Sequence, residues 1–286
     1  MRCSPLIDLF IILSLLFAQK AIVASPISEK EKTFEWGAGF LSFRGGHYRG
    51  SNQSRSWFIP LPYFTYTSKY IEAEPSFVRG TFFKNEWVSL KLSLLAGLNV
   101  ESETNSARQG MPSLDYTFEA GPMVIFNLWE SLNKQFRLTF EFPFRAVNTT
   151  DLTYVKPIGF FGVPYLNFKT SPLSSLSNWS FEFSVAGMWA SRKYHNHFYG
   201  VSPVYALADR PAYDAQSGYS GVQSTIIFNK RYDNFIFIPF FRFDVLEGAV
   251  FESSPLIKSK NYFIGGLAFF WLFGDDLTGK SKVRAD

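Results

Sequence analysis

Residues 135–147 read QFRLTFEFPFRAV, and Phe136, Leu138, Phe140, Phe142, Phe144 and Ala146 alternate there with Gln135, Arg137, Thr139, Glu141 and Arg145. A period of two places every apolar side chain on one face of a β-strand and the charges on the other. The stretch also exceeds the ~5–6 residues of an ordinary strand and suits a tilted bilayer-crossing strand, which needs about 9–11. Two environments accept it. In a soluble sandwich the Phe row meets a second sheet and the charges meet water. In a membrane barrel the row meets lipid and the charges line the lumen.

The rest of the chain favours the barrel. Phe34, Trp36, Ala38 and Phe40 oppose Thr33, Glu35, Gly37 and Gly39. Val88, Leu90, Leu92, Leu94, Ala96, Leu98 and Val100 oppose Ser89, Lys91, Ser93, Gly97 and Asn99. Tyr116, Phe118, Ala120, Val124 and Phe126 oppose Asp115, Thr117, Glu119 and Asn127. Within 178–190, Trp179 and Trp189 share the apolar face with Phe181, Phe183 and Val185, against Ser180, Glu182, Ser184 and Ala186. The two tryptophans lie roughly 33 Å apart along an extended strand, which a ~40° tilt projects to about 25 Å, the height of an apolar band between aromatic girdles.

Aromatics make up 19% of the chain, 33 of them Phe, yet mean hydropathy is close to zero. Alternation explains both, because the two faces of each strand cancel. Past the first 24 residues no run of ~18 apolar residues exists to make a transmembrane helix. The formal charge of +4 gives no case for nucleic acid.

Residues 1–24 read as an export signal, with Arg2 before an apolar run from Leu9 to Ala18 and a small-residue cleavage site at Ala24. The only cysteine, Cys3, falls inside it, which excludes disulfides, thiol catalysis and zinc-thiolate sites from the mature chain. The expectation is one domain over 25–286, ending in a short tail, 274–286.

Eleven strand candidates emerge, at 33–44, 57–67, 69–79, 87–100, 115–127, 135–147, 157–169, 178–190, 216–229, 234–246 and 261–273. Bacterial single-chain barrels have an even number, so the miscount belongs in the first third, where Pro60, Pro62 and Pro75 interrupt the pattern. The predicted fold is all-β, an antiparallel up-and-down transmembrane β-barrel of about 12 strands, with 10 as the alternative. Long connections at 101–114, 147–156, 191–215 and 247–260 alternate with short ones, so the long loops share one side, taken as extracellular. The Gly- and Ser-rich 45–55 stretch reads as an exposed loop.

Chemistry concentrates in 191–215, SRKYHNHFYGVSPVYALADRPAYDA. Ser202 and Pro203 read as the N-cap and first turn of a short helix over 204–208, stopped by Pro211. His195 and His197 precede it, and Asp209 and Asp214 follow. On a strand the two histidines share a face, but spacing specifies no third ligand, so a polar surface loop outweighs a metal or acid–base site. Ser191 with either histidine offers no triad on one outward face, so catalytic, cofactor and metal residues are all expected to be none. Lys91, Glu119, Arg137, Glu141, Arg145, Glu182, Arg242 and Asp244 are expected to point into the lumen. There they either select a solute or form an internal ion-pair plug, the favoured reading.

Residues Tyr199-Gly200-Val201-Ser202-Pro203, followed by Pro211-Ala212-Tyr213-Asp214-Ala215, resemble the signature of the MipA/OmpV (MltA-interacting protein) outer-membrane family. Supporting matches lie at Trp36-Gly37-Ala38-Gly39, Pro60-Leu61-Pro62 and Ser254-Pro255-Leu256-Ile257, and the likeness extends over 33–273. The resemblance implies a barrel in outer-membrane lipid, without cofactor, acting as a non-catalytic scaffold between a murein hydrolase and a penicillin-binding protein. A selective channel or a surface adhesin is the alternative, and a lipid-modifying enzyme a lesser one.

Overall fold

A computed structural model describes residues 33–67, 71–74, 77–176 and 178–275. The predicted export signal, and the tail beyond Asp275, lie outside these residues. Thirteen β-segments form one antiparallel sheet. They are β1 (Thr33–Gly46), β2 (Ser54–Thr67), β3 (Ile71–Glu74), β4 (Phe77–Lys84), β5 (Val88–Gly97), β6 (Tyr116–Glu130), β7 (Phe136–Thr150), β8 (Lys156–Gly162), β9 (Tyr165–Thr170), β10 (Trp179–Ala190), β11 (Gly218–Tyr232), β12 (Phe235–Val245) and β13 (Asn261–Asp275). One α-helix, α1 (Arg192–Tyr199), follows β10.

β8 and β9 occupy one place in the sheet, broken at Val163-Pro164. β7 pairs with both, through Phe144↔Gly162 and Glu141↔Tyr165, and β10 pairs with both as well. The thirteen segments therefore fill twelve places, the even number a barrel needs. The strand expected at 69–79 is two strands, β3 and β4, which restores the count. Pro75, which cannot donate to a ladder, stands between them.

Pairing runs from β1 through β2 and onward to β13, which pairs with β1 again. The wall is not closed over its full height. β2 meets β3 only at Tyr66↔Ala73 and Thr67↔Glu72, and β4 meets β5 only up to Lys91. Among the described residues, no strand pairs with the 54–65 part of β2 on the side away from β1. None pairs with the 92–97 part of β5 on the side away from β6.

The alternation sorts side chains as the barrel reading requires. On β7, Phe142 and Phe144 are exposed, while Thr139, Glu141, Arg145 and Val147 are buried inward. Outward rings stack across neighbouring strands, as in Phe144–Phe160 and Phe40–Phe58. Trp179 meets Phe228 and Phe237 at the short-turn end of β10, and Trp189 meets Tyr219 at the other end. Inside, the wall is divided. β11 to β2 contribute an apolar half that includes Leu41, Phe43, Ile59, Leu61, Ile238 and Phe270. β5 to β10 contribute a polar half that includes Thr117, Glu119, Glu141, Asn167 and Glu182.

The long connections do not behave as solvated loops. The 45–55 stretch was expected to be exposed, yet Tyr48, Gly50 and Ser51 are buried. Tyr48 joins Val100, Met111, Leu114, Tyr199, Val201, Leu246, Phe251 and Leu256 in one apolar core. Each loop alone is too polar to collapse, but apolar residues from four connections cover one another, and burial outweighs exposure. The result is a cap over one end of the barrel. The 147–156 connection is shorter than expected, because β7 continues to Thr150. Asp151 then closes the turn by accepting from the Thr153 backbone and hydroxyl.

Candidate functional site

The 191–215 segment forms the centre of the cap and corrects three expectations. Its helix lies before Ser202. Ser191 is the N-cap of α1, with its Oγ accepting from Tyr194 N–H, and Gly200 ends the helix by donating its N–H to the Asn196 carbonyl at 3.1 Å. After Ser202 only a 3₁₀ turn forms, over Pro203–Tyr205, and the Ser202 side chain makes no cap bond. The expected helix over 204–208 fails because Leu207 and Arg210 bridge each other. Arg210 also donates to the carbonyls of Tyr205, Ala107 and Gln109, tying this tip to the β5–β6 loop.

The histidines are not on a strand and do not share a face, since positions two apart on a helix diverge by roughly 200°. Nor is the segment a polar surface loop. His195 is fully buried, with Nδ1 bonded to the Gln216 carbonyl and Nε2 to Ser220 Oγ, both at 2.6 Å. Burial lowers its pKa, the Gln216 carbonyl opposes, and Arg49 adds to the lowering. His197 is pushed down to about 4, first by burial and then by Arg108. The Ser220–His195 pair has the spacing of a nucleophile and base. Both groups are sealed from solvent, however, and the third partner is a carbonyl rather than a carboxylate. Ser220 was not singled out from the sequence, because a serine on a strand beyond the loop carries no signal for a histidine it meets only in the fold. Among the described residues no cluster of three potential metal ligands exists.

The signature residues serve packing. Tyr199 stacks on Phe251 with ring centroids 3.8 Å apart, and its carbonyl accepts from Ser254 Oγ at 2.7 Å. Burial pushes the Tyr199 hydroxyl up to about 12. Val201 and Tyr213 bridge through paired backbone bonds, and the Tyr213 hydroxyl reaches the Val250 carbonyl. Pro211 is exposed at the corner. Asp214 accepts from Asn196 Nδ2 at 2.7 Å and pairs with Arg192 on α1, which holds its carboxyl below the usual range.

Of the candidate lumen charges, most are tied within the wall. Arg145 Nε donates to Glu119 at 2.7 Å, and its Nη1 reaches Ser93 on β5. Glu141 accepts from Thr139 at 2.8 Å and from the Tyr165 hydroxyl at 2.7 Å. Glu182 is buried opposite Lys169 in the register, and Lys91 is half-buried on β5. Arg137 pairs with Glu130 near the short-turn end, where both are partly exposed. Arg242 and Asp244 form a cluster that sequence reasoning left incomplete. Arg49, from the 45–55 connection, donates to the same Asp244 at 2.6 Å and to the Ser220 carbonyl at 2.8 Å, joining cap to barrel.

A twelve-place sheet with outward aromatic bands and an inward polar half defines an outer-membrane β-barrel, here with its long loops folded into a cap. Residues 37–273 match the family model of the MltA-interacting protein MipA. The chain belongs to that family. No curated protein matches the chain. Among solved structures, it is similar to the NanC porin, at 7% identity over 81% of this chain and 98% of that one, with a TM-score of 0.40. It is also similar to the Pseudomonas putida toluene transporter TodX, at 8% identity over 92% and 93%, TM-score 0.33. The outer membrane protease OmpT from Escherichia coli gives 8% over 87% and 97%, TM-score 0.29. These scores lie below 0.5, and the fold rests on the strand pairings instead.

Proposed function

We propose that the protein is a non-enzymatic, non-conducting scaffold of the outer membrane that holds a murein hydrolase and a penicillin-binding protein on its periplasmic, short-turn side. The observation that carries this reading is the filled cap. Leu246, Phe251 and Leu256 are fully buried over one end of the barrel, and Arg145–Glu119 and Glu141–Tyr165 tie up polar groups beneath it. A solute path needs water through that end, and a catalytic centre needs access to His195 or Ser220. The cap opposes both. The family name supports a hydrolase as partner. The cap is the extracellular end in this reading, and residues 1–24 are the export signal. Detergent-solubilised envelopes carrying the tagged protein test it. A lytic transglycosylase and a penicillin-binding protein should co-elute, and planar bilayers containing the pure protein should stay silent. Steady conductance without partners would replace the scaffold with a channel. Lys193→Cys, on the exposed face of α1, should react with an impermeant maleimide on intact cells, and reaction only after outer-membrane rupture would invert the topology.

A further inference from the structure

Lipid-facing rings form an unbroken strip on one side of the barrel. Phe58 on β2 stacks on Phe40 of β1 with centroids 5.1 Å apart, and Phe40 on Phe269 of β13 at 5.9 Å. Phe269 meets Phe235 of β12 at 5.5 Å, Phe235 meets Trp271, Trp271 meets Phe273, and Phe273 meets Trp36 at 5.2 Å. The strip runs from below the cap to the short-turn end.

The upper end of the strip carries a charge that the wall does not neutralise. Leu41 and Phe43 are buried in the interior, so the even-numbered residues of β1 face outward. Arg44 is one of them, two positions before the strand ends at Gly46. It is exposed, no carboxylate pairs with it among the described residues, and its Nη1 reaches Ser56 Oγ at 3.4 Å. From Trp36 to Arg44 the strand rises roughly 26 Å, which a ~40° tilt projects to about 20 Å. Arg44 therefore stands near the upper border of the apolar band, at the depth of lipid headgroups. The surface around it is low and hydroxylated. Its register partner on β13 is Gly265, and the next outward residue on β1 is Gly46. Ser56 and Ser54, opposite Arg44 and Gly46 on β2, are both exposed. A guanidinium without an internal anion, beside two hydroxyls and two positions lacking side chains, suits an oxyanion that accepts its paired N–H groups.

We propose that Arg44 and Ser56 bind a phosphate of a phosphorylated glycolipid in the cap-side leaflet, whose acyl chain lies along Phe58, Phe40 and Phe269. Phosphate is the class because the site is cationic and opens at headgroup depth. The glycolipid is the source because a phosphate monoester carries roughly twice the charge of a diester, and the Ser54 and Ser56 hydroxyls suit a sugar. The choice of leaflet rests on the extracellular placement of the cap, which maleimide labelling judges separately.

The test titrates the full-length protein in detergent micelles with diphosphoryl lipid A and counts bound lipid by native mass spectrometry. Arg44→Gln should bind about tenfold more weakly than wild type, as the loss of a charge-assisted bond requires. Arg44→Lys, which keeps the charge without the fork, should fall between the two. Lys230→Gln removes an outward cation at the opposite end of the band, beside Trp179, and should bind as wild type does. Phe40→Ala, which breaks the ring strip, should weaken binding about threefold. Lipid A stripped of its phosphates should bind wild type no better than the intact lipid binds Arg44→Gln. Undiminished binding by Arg44→Gln would overturn the site, and an equal loss in Lys230→Gln would reduce it to general charge attraction. Unchanged binding by Phe40→Ala would overturn the acyl contact, and phosphatidylglycerol binding as tightly as lipid A would overturn the glycolipid as occupant. None of these outcomes bears on the scaffold reading, which co-elution and conductance judge.

Discussion

Asp244 is the joint between barrel and cap, and replacing it with Asn isolates what the joint contributes. The carboxylate is fully buried and accepts three charge-assisted bonds, from Arg49 Nε at 2.6 Å, Arg242 Nε at 2.8 Å and Arg242 Nη2 at 2.6 Å. Arg242 also lies 5.8 Å from the Tyr262 ring. Asn keeps the shape and one carbonyl but leaves two guanidinium groups facing each other without an anion. Stranding a partner of a buried pair costs about 3–5 kcal/mol. The expected result is a large fall in the urea midpoint of the refolded protein in detergent micelles, with proteolytic cleavage appearing first in the 45–55 connection that Arg49 anchors. Adding Arg49→Met to Asp244→Asn should recover part of the loss, because it removes one stranded charge, so the two costs should not add. Glu252→Gln, which breaks the exposed pair with Lys260, should leave the midpoint unchanged. A midpoint for Asp244→Asn matching the wild type would refute the account of the cap as electrostatically latched to the barrel.

Phe142 is exposed at the middle of β7, so Phe142→Arg should cost ~2–4 kcal/mol in lipid. Trp129→Arg, near the short-turn end of β6, should cost only ~0–1, and equal costs in a refolding titration would remove Phe142 from the bilayer. His197 titrates at 6.5 when unfolded and near 4 in the cap. The unfolded chain therefore takes up the proton first, and stability is lost between pH 6.5 and 4 at up to ~1.4 kcal/mol per pH unit. His197→Gln should flatten that slope in melts across the window, and an unchanged slope would assign it elsewhere. Gly159 sits at φ +118 with an added Cβ falling 2.0 Å from Ser191 Oγ. Gly159→Ala should thus cost at least ~1–2 kcal/mol and undock α1, seen as faster amide exchange at Tyr194 than in the parent.

Strand identity was legible because lipid and lumen impose opposite demands on successive residues. Phe142 and Glu141 need opposite faces whatever their neighbours do, so a period of two survives in the sequence. Strand ends were less legible. β7 runs on to Thr150 because Asp151 and Thr150 close its turn locally, and nothing in the hydrophobic pattern marks that. The first third misled for a definite reason. A strand of four residues, β3, is too short to display alternation, and the prolines that weaken the β2 pattern are residues that usually signal an edge or a bulge. They mark an edge, with Pro60 and Pro62 turning their missing donors to the side where no described strand pairs.

The 191–215 segment resisted for the opposite reason, since its order comes from partners far along the chain. His195 lies beside Ser220 and Phe251, Arg210 reaches Ala107 and Gln109, and Tyr199 stacks on Phe251. A loop rich in Arg, His, Asn and Asp looks solvated when read by composition. It becomes interior only when four connections supply one another's apolar cover and buried groups such as His195 and Arg210 reach backbone carbonyls elsewhere in the chain. The one local signal available was Ser191 ahead of Tyr194, Phe198 and Tyr199, a capped start with an apolar face at helical spacing. Giving it more weight than Ser202-Pro203 would have placed the helix correctly and put His195 on the buried side. The burial of His195 beside Ser220 would still have remained hidden. That contact depends on the chain returning through Gln216 into β11, a matter of closure that no local pattern in 191–215 encodes.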